Sequence, residues 1–101
     1  MELLQKNNQI KPEDIKKGDL IFMCDAKGLP RTILLYLGND EIIETYPFDG
    51  SGKITKANFS GLFGKPVINF EDGELAKEIN GDKYFIQCRE VLRCSQPLSF
   101  V

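Results

Sequence analysis

The 101-residue chain contains no histidine. That removes the commonest general base, the usual partner of a catalytic cysteine and the commonest transition-metal ligand. No apolar run approaches the roughly 20 residues of a membrane-spanning helix. Met1 to Ile10 has no apolar stretch after a basic start, so neither a secretory leader nor a membrane partner is expected, and the default location is the cytoplasm. The three cysteines are too few and too irregularly spaced for a disulfide framework; they suit thiols in a reducing compartment, with one bridge between two of them left open. A net charge of -2 offers no general attraction to nucleic acid. No glycine pattern fits a phosphate cradle, and Asp49-Gly50-Ser51-Gly52 lacks the spacing and terminal glutamate of a calcium loop, so no cofactor and no metal are expected.

What is present fits one soluble domain over residues 1–101, with loose ends at 1–9 and 95–101. Its 42% hydrophobic and 28% charged residues are close to globular norms, and a chain this long buries roughly 65% of its unfolded surface without a staple. The clearest structural signal is Arg31 to Tyr46. Two apolar, β-branched or aromatic runs flank Gly38-Asn39-Asp40, a trio that tolerates positive φ, and so spell a β-hairpin. Ile33 to Leu37 is apolar at both parities, as in a central strand covered on both faces. Glu41 to Tyr46 places Ile42, Glu44 and Tyr46 on one face.

Around the hairpin, Ile10 to Asp19 reads as a turn feeding a strand, Leu20-Ile21-Phe22-Met23-Cys24. Asp25 to Pro30 is a loop long enough to line a cleft. Further short strands are expected over residues 53–57, within 64–70 and over 84–92, the last with a bulge near Glu90. Residues 74–79 place Leu75 and Ile79 four apart and allow one helical turn. Gly50 to Phe70 is free of acids and interleaves Phe59 and Phe63 with Lys53, Lys56 and Lys65. A single-stranded nucleic-acid platform would want more arginine and a regular strand, so the phenylalanines are read as packing a loop onto the sheet. The expected class is mostly β, or α+β at most: a small curled antiparallel sheet or partial barrel of four to six short strands with one or two helical turns.

Lys16-Lys17-Gly18-Asp19-Leu20-Ile21-Phe22, a variable loop, and then Ile33 through Tyr36-Leu37-Gly38-Asn39 to Glu44 resembles the barrel half of the NlpC-type papain-like cysteine peptidases, bacterial enzymes that cleave cell-wall peptides or related amides. The likeness covers residues 10–46, with a looser echo at 84–92. It implies a histidine where this chain has Thr32 and a polar orienting residue in the region of Glu44. The nucleophile is implied on a helix before the Gly-Asp-Leu strand, where this chain has no cysteine. A threonine hydroxyl cannot act as the base near neutral pH. The resemblance therefore implies a degenerate site, with Thr32 and Glu44 at former catalytic positions and no catalytic residue. Circularly permuted relatives carry the cysteine after the barrel, which draws attention to Cys94, but Pro97 leaves little helix there.

Cys24 and Cys88 sit in apolar strands and read as small buried hydrophobes. Glu44 would need a partner such as Arg31, Arg89 or Tyr36 if it faces the covered side. Asp14, Asp19, Asp25, Asp40 and Asp49 fall in turns, where aspartate serves the backbone. The expected function is a non-catalytic, pseudoenzyme-like NlpC-type domain that binds or scaffolds a peptide or protein, alone or assembled with its own copies or another chain. Its ligand cleft would lie between the loop at residues 25–30 and that at 50–63, drawing on Asp25, Arg31, Tyr36, Tyr46, Phe59 and Phe63. Two alternatives stand beside it. One is half of a split cysteine peptidase, marked by an exposed apolar face along Thr32, Leu34 and Tyr36; the other is an unrelated small β-barrel interaction domain.

Overall fold

Residues 9–44 and 54–91 are described by a computed structural model. They form strands β1 (Gln9–Ile10), β2 (Leu20–Cys24), β3 (Pro30–Gly38), β4 (Glu41–Glu44) and β5 (Thr55–Asn58), a short helix α1 (Phe59–Phe63), and strands β6 (Leu75–Ile79) and β7 (Asp82–Arg89). All seven strands join one antiparallel sheet in the order β1-β7-β2-β3-β4-β5, with β6 also on β7. The sheet does not close. It is mostly β, as expected.

The hairpin is where the sequence places it. Gly38, Asn39 and Asp40 take φ of 90°, 54° and 64°, the left-handed values that let a tight turn follow the twist of its strands. β3 pairs with β2 on one side and β4 on the other. The Gly18-Asp19 pair locks the start of β2 to β3: the Gly18 amide donates to the Tyr36 carbonyl at 2.8 Å and the Tyr36 amide to the Asp19 carbonyl at 2.9 Å.

Four local expectations are corrected. Within residues 74–79 no helical turn forms: Leu75–Ile79 is β6, because Asn80 and Gly81, at φ 53° and 87°, fold it back onto β7; cross-strand pairing outweighs a single Leu-to-Ile spacing. The strand expected within 64–70 is a 3-10 turn at Val67–Asn69, entered from Pro66 and closed by the Phe70 amide on the Val67 carbonyl at 3.0 Å. The bulge expected near Glu90 is absent from the unbroken β2–β7 register, and register shifts fall at Met23/Cys24, Tyr36/Gly38 and Leu75/Lys77. Residues 59–63, read as loop, are helical. Asn58 accepts from the Gly61 amide at 3.0 Å as the N-cap, and Gly64 ends the turn at φ 90°.

The register sorts the sheet into two faces. Residues opposite one another point the same way, so Ile21, Met23, Leu34, Tyr36, Ile42, Ile86 and Cys88 share one side. That side is the core, covered by Phe59, Phe63, Val67 and Phe70. The three rings pack on one another, with centroids 4.5 Å apart for Phe59–Phe63 and 5.6 Å, edge to face, for Phe59–Phe70. Each such ring removes enough apolar surface from water to stabilise the fold by about 1.5–3 kcal/mol. Phe22, Cys24 and Arg89 lie on the opposite face by the same register and are buried as well, so β2 is covered on both sides.

Candidate functional site

Asp40 organises one end of the sheet. Its carboxylate accepts from the Ser60 amide at 2.9 Å, from the Ser60 hydroxyl, and from the Val67 amide at 3.0 Å. Its carbonyl takes the Phe59 amide at 2.7 Å, and its own amide donates to the Tyr36 hydroxyl at 3.1 Å. A turn residue thus fastens α1 and the following 3-10 turn to the hairpin. This role is structural, and it leaves Tyr36, Phe59 and Phe63 inside the core.

Three of the residues expected to line a cleft between residues 25–30 and 50–63 lie in the core instead, and residues 50–53 are outside the described residues. Tyr36, Phe59 and Phe63 are 7%, 0% and 8% exposed and belong to the core. Tyr46 lies outside the described residues. Asp25 and Arg31 do line one, of about 440 Å³, but its second wall is the β6–β7 turn, through Asp82, Lys83 and Tyr84. The register explains this neighbour. β7 lies beside β2, with Phe85 opposite Cys24, and β3 enters at Pro30 opposite the same Cys24. The loop 25–29 and the turn at 80–81 therefore share one end of the sheet, opposite the Asp40 end.

The cleft loop is shaped by its aspartate. Asp25 Oδ1 accepts from the Lys27 and Leu29 amides at 2.9 and 3.0 Å, while the Asp25 amide donates to the Leu29 carbonyl at 2.9 Å. The Leu29 amide, and after it the Lys27 amide and the nearby Arg31 charge, holds the Asp25 carboxyl below its ordinary 3.8. Arg31 stands 3.8 Å from Asp25 Oδ2. Leu29 leaves 57% of its surface exposed at the lip.

Thr32 and Glu44, the positions that the resemblance aligns with catalytic ones, face the core. Thr32 is opposite Met23 and Glu44 is opposite Leu34, so they sit diagonally on adjacent strands, each 6% exposed. The residues expected to partner Glu44 are engaged elsewhere: Arg31 at the cleft, Tyr36 on the Asp40 amide, and Arg89 on the Cys88 carbonyl at 2.8 Å and Gln87 Oε1 at 2.6 Å. Arg89 Nε is buried without a hydrogen-bond partner. Thr32, Leu34 and Tyr36 are buried, so the exposed face that would mark half of a split enzyme is not there.

Burial raises both described thiols, Cys24 to about 11 and Cys88 to about 12, with Arg89 opposing the rise in each case. Both are protonated near neutral pH and neither is a poised nucleophile. Cys94 lies outside the described residues. Among the described residues no group of three or more His, Cys, Asp or Glu side chains forms a metal position, and no helix is long and apolar enough to cross a membrane.

Sequence reasoning missed Lys27, Lys83, Asp82 and Tyr84 as cleft residues. The Asn80-Gly81 turn marked a hairpin, but nothing along the chain says that it stands beside residues 25–31. The chain matches no family model, no curated protein and no solved structure.

Proposed function

We propose that this chain is a non-catalytic domain of the NlpC type, degenerate at the catalytic positions, that binds a segment of a peptide or protein partner in the cleft between residues 25–31 and 81–84. The cleft carries the reading. It has the size of a ligand site, its walls are fixed by backbone hydrogen bonds and a tight turn, and it combines an exposed leucine and a half-buried tyrosine with charged side chains. Support for the family assignment comes from the pairing of the Gly18-Asp19-Leu20 strand with the strand that ends in Tyr36-Leu37-Gly38-Asn39. Support for the loss of catalysis comes from Thr32 in place of a base and from two buried, protonated thiols.

The test is an amidase and peptidase assay on the purified chain with short peptide amides and cell-wall-type peptides. The expected result is no turnover above the uncatalysed rate. Hydrolysis that disappears on Cys24→Ser, Cys88→Ser or Cys94→Ser would overturn the non-catalytic reading.

A further inference from the structure

We infer that the occupant of this cleft is an acidic peptide segment carrying one bulky apolar residue; the inference rests on the binding reading above. The chain as a whole is acidic, at -2, yet the cleft inverts that balance locally, with Lys27, Arg31 and Lys83 set against Asp25 and Asp82. One Asp25 oxygen accepts from two backbone amides of its own loop. The other stands 3.8 Å from Arg31, whose side chain is 59% exposed. A pair at that separation, with its arginine largely in solvent, is worth little, so Arg31 can turn its guanidinium to a guest carboxylate and gain a paired, charge-assisted contact.

The apolar part of the guest follows from Leu29 and Tyr84. Leu29 is one of few large hydrophobic side chains left exposed among the described residues, and Tyr84 stands half-buried on the facing wall. One bulky side chain laid between them removes apolar surface of both from water, while carboxylates on either side of it in the guest reach Lys27, Arg31 and Lys83. Both walls exist before binding: loop 25–29 is closed on itself by four hydrogen bonds, and the opposing turn is a tight hairpin. Little ordering entropy is then lost on docking. A single-stranded nucleic acid fits less well, since stacking needs ring faces and this cleft presents one half-buried ring.

The experiment uses the full chain, isotopically labelled, and follows amide resonances during titration with synthetic peptides of equal length. One carries a leucine flanked by glutamates; in its companions the glutamates are replaced by glutamines or by lysines. An oligothymidylate is the fourth probe. The acidic peptide is expected to move the Leu29, Arg31 and Tyr84 amides, to bind more weakly as salt rises, and to lose about tenfold in affinity against the double variant Lys27→Glu, Lys83→Glu. Both lysines are exposed, and an unchanged amide spectrum away from the cleft verifies that the variant folds. If the glutamine or lysine peptide binds as tightly at the same amides, the cleft stays a peptide site and the acidic assignment falls. If the oligothymidylate moves those amides and the acidic peptide does not, the partner class is wrong. If none of the probes moves them, the binding reading falls with it.

Discussion

Two turn aspartates, at opposite ends of one sheet, do different work with the same side chain. Asp40 reaches across the sequence: its carboxylate bonds to Ser60 and Val67, 20 and 27 positions away. Asp25 bonds to amides two and four positions on, within its own loop. The first holds separate elements together over a core of phenylalanine rings. The second only shapes an exposed loop beside a cleft. A carboxylate in a turn is a local device by default, and it becomes a fold-level one when elements from elsewhere in the chain bring amides to it. The Asp40 end is therefore expected to behave as part of the cooperative core, and the Asp25 end as a surface that can change without unfolding the domain.

The largest effect that would sharpen this contrast is at Phe59. The ring is fully buried and touches both Phe63 and Phe70. Phe59→Ala should destabilise the fold by about 3–5 kcal/mol in denaturant titration, whereas Leu29→Ala at the cleft should stay within about 0.5 kcal/mol of the parent. Comparable losses at both positions would erase the distinction between the two ends.

Asp40→Ala comes next. It strips the acceptor from the Ser60 and Val67 amides, and bonds to a charged group are worth about 1.5–3 kcal/mol each. Because Asp40 is half-buried, the expected total is about 2–3 kcal/mol, read as a lowered denaturation midpoint. Loss of protection from amide exchange should be concentrated at Ser60 and Val67. A midpoint unchanged from the parent would reduce Asp40 to another local turn residue.

The two described thiols give a smaller, pH-dependent contrast. Burial raises Cys24 from 9.0 to about 11 and Cys88 from 9.0 to about 12. The unfolded chain then loses its thiol protons before the native one does. The stabilisation is complete below pH 9 and falls as the pH climbs through 11 for Cys24 and 12 for Cys88. Cys24 pairs with Phe85 and Pro30 at the cleft end, and Cys88 with Ile10 and Ile21 toward the other. Alkylation of the native protein at rising pH, mapped by mass spectrometry, should label Cys24 before Cys88. The reverse order would contradict the greater looseness of the cleft end.

The hairpin was readable from residues 31–46 because its turn needs positive φ at three successive positions and apolar, β-branched or aromatic runs flank it. The core face followed from parity, down to Ile42 and Glu44 lying on one side. Two things were not readable. α1 is a single turn, too short to show a helical period, and it exists because Asn58 caps it and Asp40 anchors it from 20 residues away. The cleft's second wall depends on β7 crossing to lie beside β2, a long-range choice that no local spacing encodes. Phe59 and Phe63 were rightly read as packing onto the sheet, and that same packing is why they cannot line a ligand site.

The smallest prediction concerns Asp25 alone. Its carboxyl is held below the ordinary 3.8, first by the Leu29 amide. The preference for the ionised form stabilises the closed loop fully above pH 3.8 and is lost as the pH falls through the lower native value. In an acid titration the Lys27 and Leu29 amide resonances should shift together, with a midpoint below 3.8, while the resonances of Ile21 and Leu34 in the core strands keep their native positions through that step. Asp25→Asn should abolish the step yet leave the loop closed, since an amide oxygen accepts the same two bonds. If those core resonances move with those of the loop, the two are coupled and the cleft belongs to the cooperative core after all.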